Sequence, residues 1–402
     1  MSLQRKVLYL ASVAAFLRSF AQVIYVPSQV AMRQDLETTT SMMGLSLSVY
    51  ALVFAISLII YGPIVDRFDG KRVLLFGMGI FVVSSFALFF VDGIRSLLLL
   101  RGLQGLGIAG AVIVGLALIS DVIPQVERGR AMGVFEIFNA IGATVGPIVG
   151  AALASWFLWR ADFPVLAIIG LGMGLYIFWQ LPAQAVRPQK VGLSDMLLIF
   201  GNPATRGAII LGFVMFYGLF TVYTILPPFL VDLYGYSIGQ IGVLVSLMPL
   251  GAIFGSAFGG WASDRWKQRT ILLIGSSGSF VGFSILTIIS WQTSSLAPIA
   301  LVAATVAACG FLIGLALPPQ LKIMVDHFPY IRGTASGILI FGRFIGASVA
   351  PVLCGYLADR YGLAAGFSSA GVLFAIGVVL TLFLAFEIPQ SQKMVVEENL
   401  SI

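Results

Sequence analysis

Four charged side chains stand inside apolar stretches of this chain: Arg18, Arg101, Arg343 and Glu136. An arginine at mid-bilayer depth costs about 2.5–3.5 kcal/mol on the insertion scale, so each should face water, a partner or a bound molecule. Guanidinium groups clamp carboxylates. A buried glutamate can carry a proton, because burial disfavours its charge, whereas a nearby arginine favours it. Both readings of Glu136 stand at this level. Asn139 lies one turn from Glu136. Arg18, Gln22, Tyr25 and Gln29 recur at i, i+4, i+7 and i+11, one face of a helix, and should line a cavity rather than lipid. A second wall is aromatic and hydroxylic: Phe216, Tyr217, Phe220, Thr221, Tyr223 and Thr224. A cationic wall facing an aromatic one suits amphipathic organic molecules, with anionic groups favoured. Other chemistry is not encoded. Cys309 and Cys354 read as apolar filler, His327 is the sole histidine, and no zinc-like spacing or phosphate loop occurs. No nucleophile–base set is visible. We expect no enzyme activity, no metal and no cofactor.

The elements that position these groups are membrane helices. The chain has 402 residues, 59% of them hydrophobic and 10% charged, with a mean hydropathy of +1.02. A soluble domain carries about 25% charged residues. Apolar runs of helical span length recur at 7–31, 41–64, 73–92, 96–121, 132–157 and 163–181, then at 207–231, 239–262, 270–290, 297–324, 334–357 and 364–387. We number them spans 1 to 12. Of the 23 Lys and Arg, 16 fall on the side of the N-terminus and four (Arg33, Arg95, Arg160 and Arg360) on the other. Positive charge stays inside, so both termini are expected to be cytoplasmic. The net charge of +6 follows from the same bias and is no nucleic-acid footprint.

The chain repeats itself. Arg128 to Pro147 aligns without gaps with Arg332 to Pro351, at a constant offset of 204 residues. The charge-dense turn Gly62-Pro-Ile-Val-Asp66-Arg67-Phe-Asp69-Gly70-Lys71-Arg72 has a cousin in Gly260-Trp-Ala-Ser-Asp264-Arg265-Trp-Lys267-Gln-Arg269, about 198 residues on. The expected domains are a six-helix bundle over 1–181, a linker over 182–206 and a second bundle over 207–402. Arg67 can reach Asp121 at the end of span 4, and Arg265 can reach Asp326. Such pairs would latch one side and break when it opens.

These motifs resemble the major facilitator superfamily of secondary transporters. The 62–72 turn is similar to that family's loop between helices 2 and 3, with Asp69 as an extra residue and Lys267 in the glycine place of the second copy. Arg101-Gly-Leu-Gln104-Gly105 resembles the R-x-x-Q-G motif of proton-coupled members, which implies a cavity-facing Arg101 involved in proton coupling. Gly142-x-x-x-Gly146-Pro147-x-x-Gly150 looks like the signature of the drug:proton antiporter group. Its small residues, with Pro351 as the repeat partner of Pro147, imply close packing against span 8 and a hinge.

The resemblance implies an all-α fold of twelve helices in two pseudo-symmetric six-helix bundles, working by alternating access. The first expectation is proton-coupled efflux of amphipathic compounds, with Glu136 as proton carrier. The cavity would be formed by Arg18, Gln22, Tyr25, Arg101, Gln104, Asn139, Tyr217, Tyr223 and Arg343. The alternative is an organic-anion symporter or exchanger with Arg18 and Arg343 as clamps, and a non-transporting membrane sensor is a third reading. The expected partners are a small molecule, protons and the bilayer of a prokaryotic inner membrane, with the chain a monomer.

Overall fold

The computed structural model describes residues 3–67, 69–180, 198–291, 298–328 and 331–383. Most of the 182–206 linker therefore lies outside the described residues. Within them are 12 helices long and apolar enough to cross a membrane: Leu3–Asp35, Thr40–Tyr61, Gly70–Phe90, Ile94–Ile119, Arg130–Trp156, Trp159–Gln180, Pro203–Tyr234, Ile238–Ser263, Gln268–Trp291, Ile299–His327, Thr334–Tyr361 and Leu363–Phe383. They match spans 1 to 12 in order. The fold is two pseudo-symmetric bundles of six helices.

Local chemistry sets many of the ends. Asn202 accepts from the N–H of Ala204 at 2.9 Å and of Thr205 at 3.4 Å, with Pro203 opening span 7. Span 7 stops at Gly235, whose φ of +64° suits glycine. Ser237 and Gln240 then form a capping box at the start of span 8. Asp69, the extra residue of the charged turn, caps span 3 by accepting from the N–H of Lys71 at 3.0 Å.

Span 1 is not one rod. Regular helix ends at Val23, a short 3-10 turn covers Val26–Ser28, and helix resumes over Gln29–Asp35. Pro27 has no N–H to give and cannot continue the ladder. The break turns the outer third of span 1 away from the inner two thirds.

We call the side where span 1 begins the terminal face. The two halves touch at its opposite. Gly44 on span 2 lies against Pro351 on span 11: a Cβ on Gly44 would sit 2.3 Å from the Pro351 carbonyl oxygen. Gly242 on span 8 lies against span 5, where a Cβ would sit 2.6 Å from the Pro147 carbonyl oxygen and 2.4 Å from the Ala151 Cβ. The repeat thus builds two equivalent glycine–proline crossings. Beside the first, the Asp359 carboxylate of span 11 accepts from the N–H of Thr40 at 3.1 Å and of Ser41 at 2.8 Å, capping span 2 from the other half. Toward the terminal face, about three helical turns from Pro147, Glu136 is exposed. The halves are packed together at these crossings on the opposite face, and we call the region between them on the terminal side of the crossings the cleft.

Candidate functional site

The centre of the cleft is a ring of polar groups around an aromatic cluster. From span 1, the Arg18 guanidinium donates to Gln22 Oε1 at 3.2 Å, to Ser19 Oγ at 2.9 Å and to Asn139 Oδ1. Asn139 in turn donates to Glu136 Oε2 at 3.3 Å. The Arg18 backbone carbonyl accepts from the Tyr50 hydroxyl at 2.9 Å, which fixes the height of this part of span 1. The Arg18 guanidinium lies 5.3 Å from the Phe54 ring centroid and 5.2 Å from that of Phe344, a residue of the other half. Phe54 and Phe344 touch at 5.0 Å, and Phe216 of span 7 meets Phe344 at 6.0 Å.

Arg343 approaches the same cluster from span 11. It donates to Gln320 Oε1 and to the Leu317 carbonyl, both at 3.0 Å, and its guanidinium lies 5.8 Å from the Phe216 ring. Span 10 carries Pro318 and Pro319 next to that carbonyl, and neither has an N–H to offer. Glu136 acts electrostatically on both Arg18 and Arg343. The site therefore holds two guanidinium groups against one carboxylate. It also holds buried donors with no hydrogen-bond partner among the described residues: Gln22 Nε2, Gln320 Nε2, Arg343 Nε and the Tyr223 hydroxyl. Such groups cost stability unless an acceptor arrives. A molecule with several acceptor oxygens and negative charge satisfies them, and the phenyl rings accommodate an apolar part.

Several expected residues are elsewhere. Arg101 is fully buried inside the first half and does not open on the cleft. Its guanidinium lies between the rings of Tyr25, at 4.6 Å, and Tyr50, at 4.3 Å. It donates to the carbonyls of Ala21 at 2.9 Å and Gln22 at 3.4 Å. These carbonyls lie where the break in span 1 removes the next helical donors, so Arg101 caps the inner segment. Gln104 completes the cluster by accepting from Arg101 and donating to Ser85 Oγ at 2.8 Å. Tyr25 shares a hydrogen bond with Ser46 at 2.7 Å and also faces away from the cleft. Tyr217 pairs with Ser369 of span 12 at 2.9 Å, inside the second half. Thr221 and Thr224 donate back to the carbonyls of Tyr217 and Phe220 on their own helix.

The glycine stripe of span 5 faces span 1 rather than span 8. A Cβ on Gly142 would meet the Phe16 carbonyl oxygen at 2.4 Å, on Gly146 the Val23 side chain at 2.9 Å, and on Gly150 the Ile24 carbonyl oxygen at 1.7 Å. Contact with span 8 is made instead by Pro147 and Ala151 against Gly242. Small residues license close approach but do not say to which neighbour.

At the terminal face the second-half latch differs from expectation. Asp264 pairs with Lys322 at 3.1 Å, and Lys322 also donates to the Ser263 carbonyl at 2.7 Å. Arg265 lies over the Trp261 ring at 4.5 Å and donates to its carbonyl at 3.2 Å, so it does not reach Asp326. Both partners of the Asp264–Lys322 pair are on spans of the same half. The side chains of Gly62, Asp66 and Arg67 lie outside the described residues, so the Arg67–Asp121 pair does too.

One buried acid was missed. Glu136 is not the only embedded carboxylate, because Asp162, at the start of span 6, is 0% exposed. It sits two residues from Arg160 and reads as a loop acid. The signal against that reading is the unbroken apolar run that begins at the next residue, Phe163.

The comparisons with known proteins agree with this architecture. The family model described as Major Facilitator Superfamily matches residues 11–351. A protein of Cupriavidus necator named "Probable sulfoacetate transporter SauU" is 26% identical over 380 residues, covering 88% of this chain and 87% of its own. A bicyclomycin resistance protein homolog of Haemophilus influenzae is 22% identical over 380 residues, covering 92% of each. Among solved structures, a bacterial homolog of the human lysosomal transporter Spinster, inward-facing and unoccupied, superimposes with a TM-score of 0.78 at 16% identity, over 95% of this chain and 97% of its own.

Proposed function

The chain belongs to the major facilitator superfamily, as a secondary transporter and not an enzyme, and from that premise we propose that it carries small organic anions across the membrane by alternating access. One observation carries this reading. Arg18 and Arg343, on opposite halves, close on one aromatic cluster, and the donors beside them have no acceptor among the described residues. A carboxylate or sulfonate held by both arginines would tie the halves together. The sulfoacetate transporter among the relatives supports the same chemistry. Glu136, exposed and joined to Arg18 through Asn139, is the group that would exchange a proton with the medium. The charge asymmetry of the loops supports cytoplasmic termini, and hence a cleft on the cytoplasmic side.

A second reading is proton-coupled efflux of amphipathic compounds. It is supported by the aromatic cluster and by the bicyclomycin resistance relative. One experiment separates the two. Purified protein is placed in liposomes with a pH-sensitive dye inside, and sulfonates, carboxylates and lipophilic compounds are added in turn. A charge-assisted hydrogen bond contributes about 1.5–3 kcal/mol, so Arg18→Gln and Arg343→Gln should each weaken anion transport by roughly tenfold to a hundredfold. Thermal unfolding of each variant checks that it is folded. Proton flux triggered only by lipophilic compounds, lost in Glu136→Gln and kept in Arg343→Gln, would overturn the anion reading in favour of the second.

A further inference from the structure

Asp162 is a buried acid that the central cleft does not use. It is 0% exposed, and neither carboxyl oxygen has a hydrogen-bond partner among the described residues. The turn before it is fixed by other groups. Trp159 Nε1 and Arg160 both donate to Asp35 Oδ2, at 3.0 and 2.5 Å, and Arg160 also donates to the Val91 carbonyl at 3.0 Å. The preceding Leu158 has a φ of +105°, a conformation that side chains other than glycine adopt only under strain.

Among the described residues no opposite charge pairs with it. Of the groups on the elements around span 6, Arg160 is engaged with Asp35, Arg33 with Thr40, Arg18 with Asn139, and Arg101 with the carbonyls of span 1. Asp92 and Arg95 are exposed. Lys71, on span 3, donates to the Phe178 carbonyl near the terminal face. Tyr25, whose ring touches Phe163 at 6.2 Å, gives its hydroxyl to the hydrogen bond with Ser46.

The fold itself does not need an acid here. The offset of 204 residues that aligns spans 5 and 11 places Phe367 at the position of Phe163 and Gly366 at that of Asp162. In the second half the corner is closed by glycine packed on Ile225, where a Cβ would meet the Ile225 Cδ1 at 2.7 Å. The carboxyl is an addition to the first half alone.

We propose that Asp162 is a proton-binding site, separate from the central cleft, whose carboxyl holds a proton at neutral pH. The ligand is a proton rather than a metal cation. A cation of this kind is held by several oxygen ligands, whereas no group of three His, Cys, Asp or Glu side chains is gathered among the described residues. A proton needs one carboxyl. An isolated carboxylate in an apolar setting neutralises rather than remain charged. The step is simple: one O–H bond forms at a carboxyl oxygen of Asp162, and the same bond breaks on release.

The test needs no substrate, so its outcome is independent of which molecule the cleft takes. Infrared difference spectra of the purified wild-type protein are recorded across neutral pH, with and without carboxyl-¹³C-aspartate. A protonated-carboxyl C=O stretch should be present at neutral pH, shift with the isotope, persist in Glu136→Gln and vanish in Asp162→Asn. The isotope arm assigns the band to an aspartate, and Asp162→Glu, which keeps a carboxyl but loses the isotope shift, assigns it to this residue where Asp162→Asn does not fold. Absence of the band, failure to shift with labelled aspartate, or survival of the full band in folded Asp162→Asn would each overturn the proposal.

Discussion

Replacing Gly44 with alanine tests whether the glycine–proline crossings hold the opposite face shut. The new Cβ would lie 2.3 Å from the Pro351 carbonyl oxygen and 2.9 Å from its carbon, where ordinary contact begins at 3.4 Å. Backbone cannot swing aside as a side chain can, so spans 2 and 11 must part by about 1 Å. Overpacking of this kind costs about 1–3 kcal/mol. The cost falls on the closed face only, because the two spans are apart when that face opens. Alanine also favours helix over glycine by about 1 kcal/mol, but it does so in both conformations and cancels in their ratio. The equilibrium should therefore shift toward the face-open state by about fivefold to 150-fold. Gly242→Ala should act alike at the second crossing. The two sites share no neighbours, so the double variant should show roughly the sum of the two free energies. Spin labels at Asp92 and at Trp291, on the opposite-face ends of spans 3 and 9, report the separation of the halves in that region by pulsed dipolar spectroscopy. A distance distribution for Gly44→Ala identical to that of the parent would refute the reasoning, whatever happens to overall stability.

Two further outcomes follow from the same geometry. Asp359→Ala removes the carboxylate that caps span 2 from the other half; cap losses run to about 0.5–2 kcal/mol, and an exposed group should fall at the lower end, so the same labels should show a smaller shift in the same direction. Asp359→Asn keeps one acceptor and should lie between. Arg101→Leu strands the Ala21 and Gln22 carbonyls and Gln104, at about 1–3 kcal/mol for each unsatisfied group, and should lower the thermal midpoint sharply. Arg101→Lys should destabilise less and leave substrate affinity near that of the parent. An Arg101→Lys protein of unchanged midpoint that no longer couples to protons would restore the cavity role implied by its motif.

The fold was legible because its signals are one-dimensional. Apolar length gives a span, and a constant offset gives a repeat, without any knowledge of neighbours. The contents of the cleft were legible only in part. Arg18 and Gln22 share a face of span 1 as their spacing suggested, whereas the bond from Arg18 to Asn139, which spacing placed only beside Glu136, and the approach of Arg343 to the same aromatic cluster come from the packing. Tyr25 belonged to the same stripe, but the stripe assumes one continuous helix, and the break around Pro27 carries it toward Ser46. The stripe of Gly142, Gly146 and Gly150 marks a close crossing without naming the helix that crosses.

Arg101, Arg18 and Asp162 show what decides the remainder. Arg101 and Arg18 are both arginines in apolar spans, with the same cost of burial to offset. Arg101 is satisfied within one half, by two tyrosine rings and the carbonyls of a broken helix. It can serve as a pillar in every conformation in which that half moves as a body. Arg18 draws part of its environment from Phe344 of the other half, so its surroundings must change whenever the halves rock apart. A charged group whose partners span the interface is sensitive to conformation, and a group satisfied on one side of it is not. Asp162 is a third case: it lies within one half and yet has no partner among the described residues. Its charge has to be removed by something that enters from outside the protein, and a proton is the smallest thing that can do so.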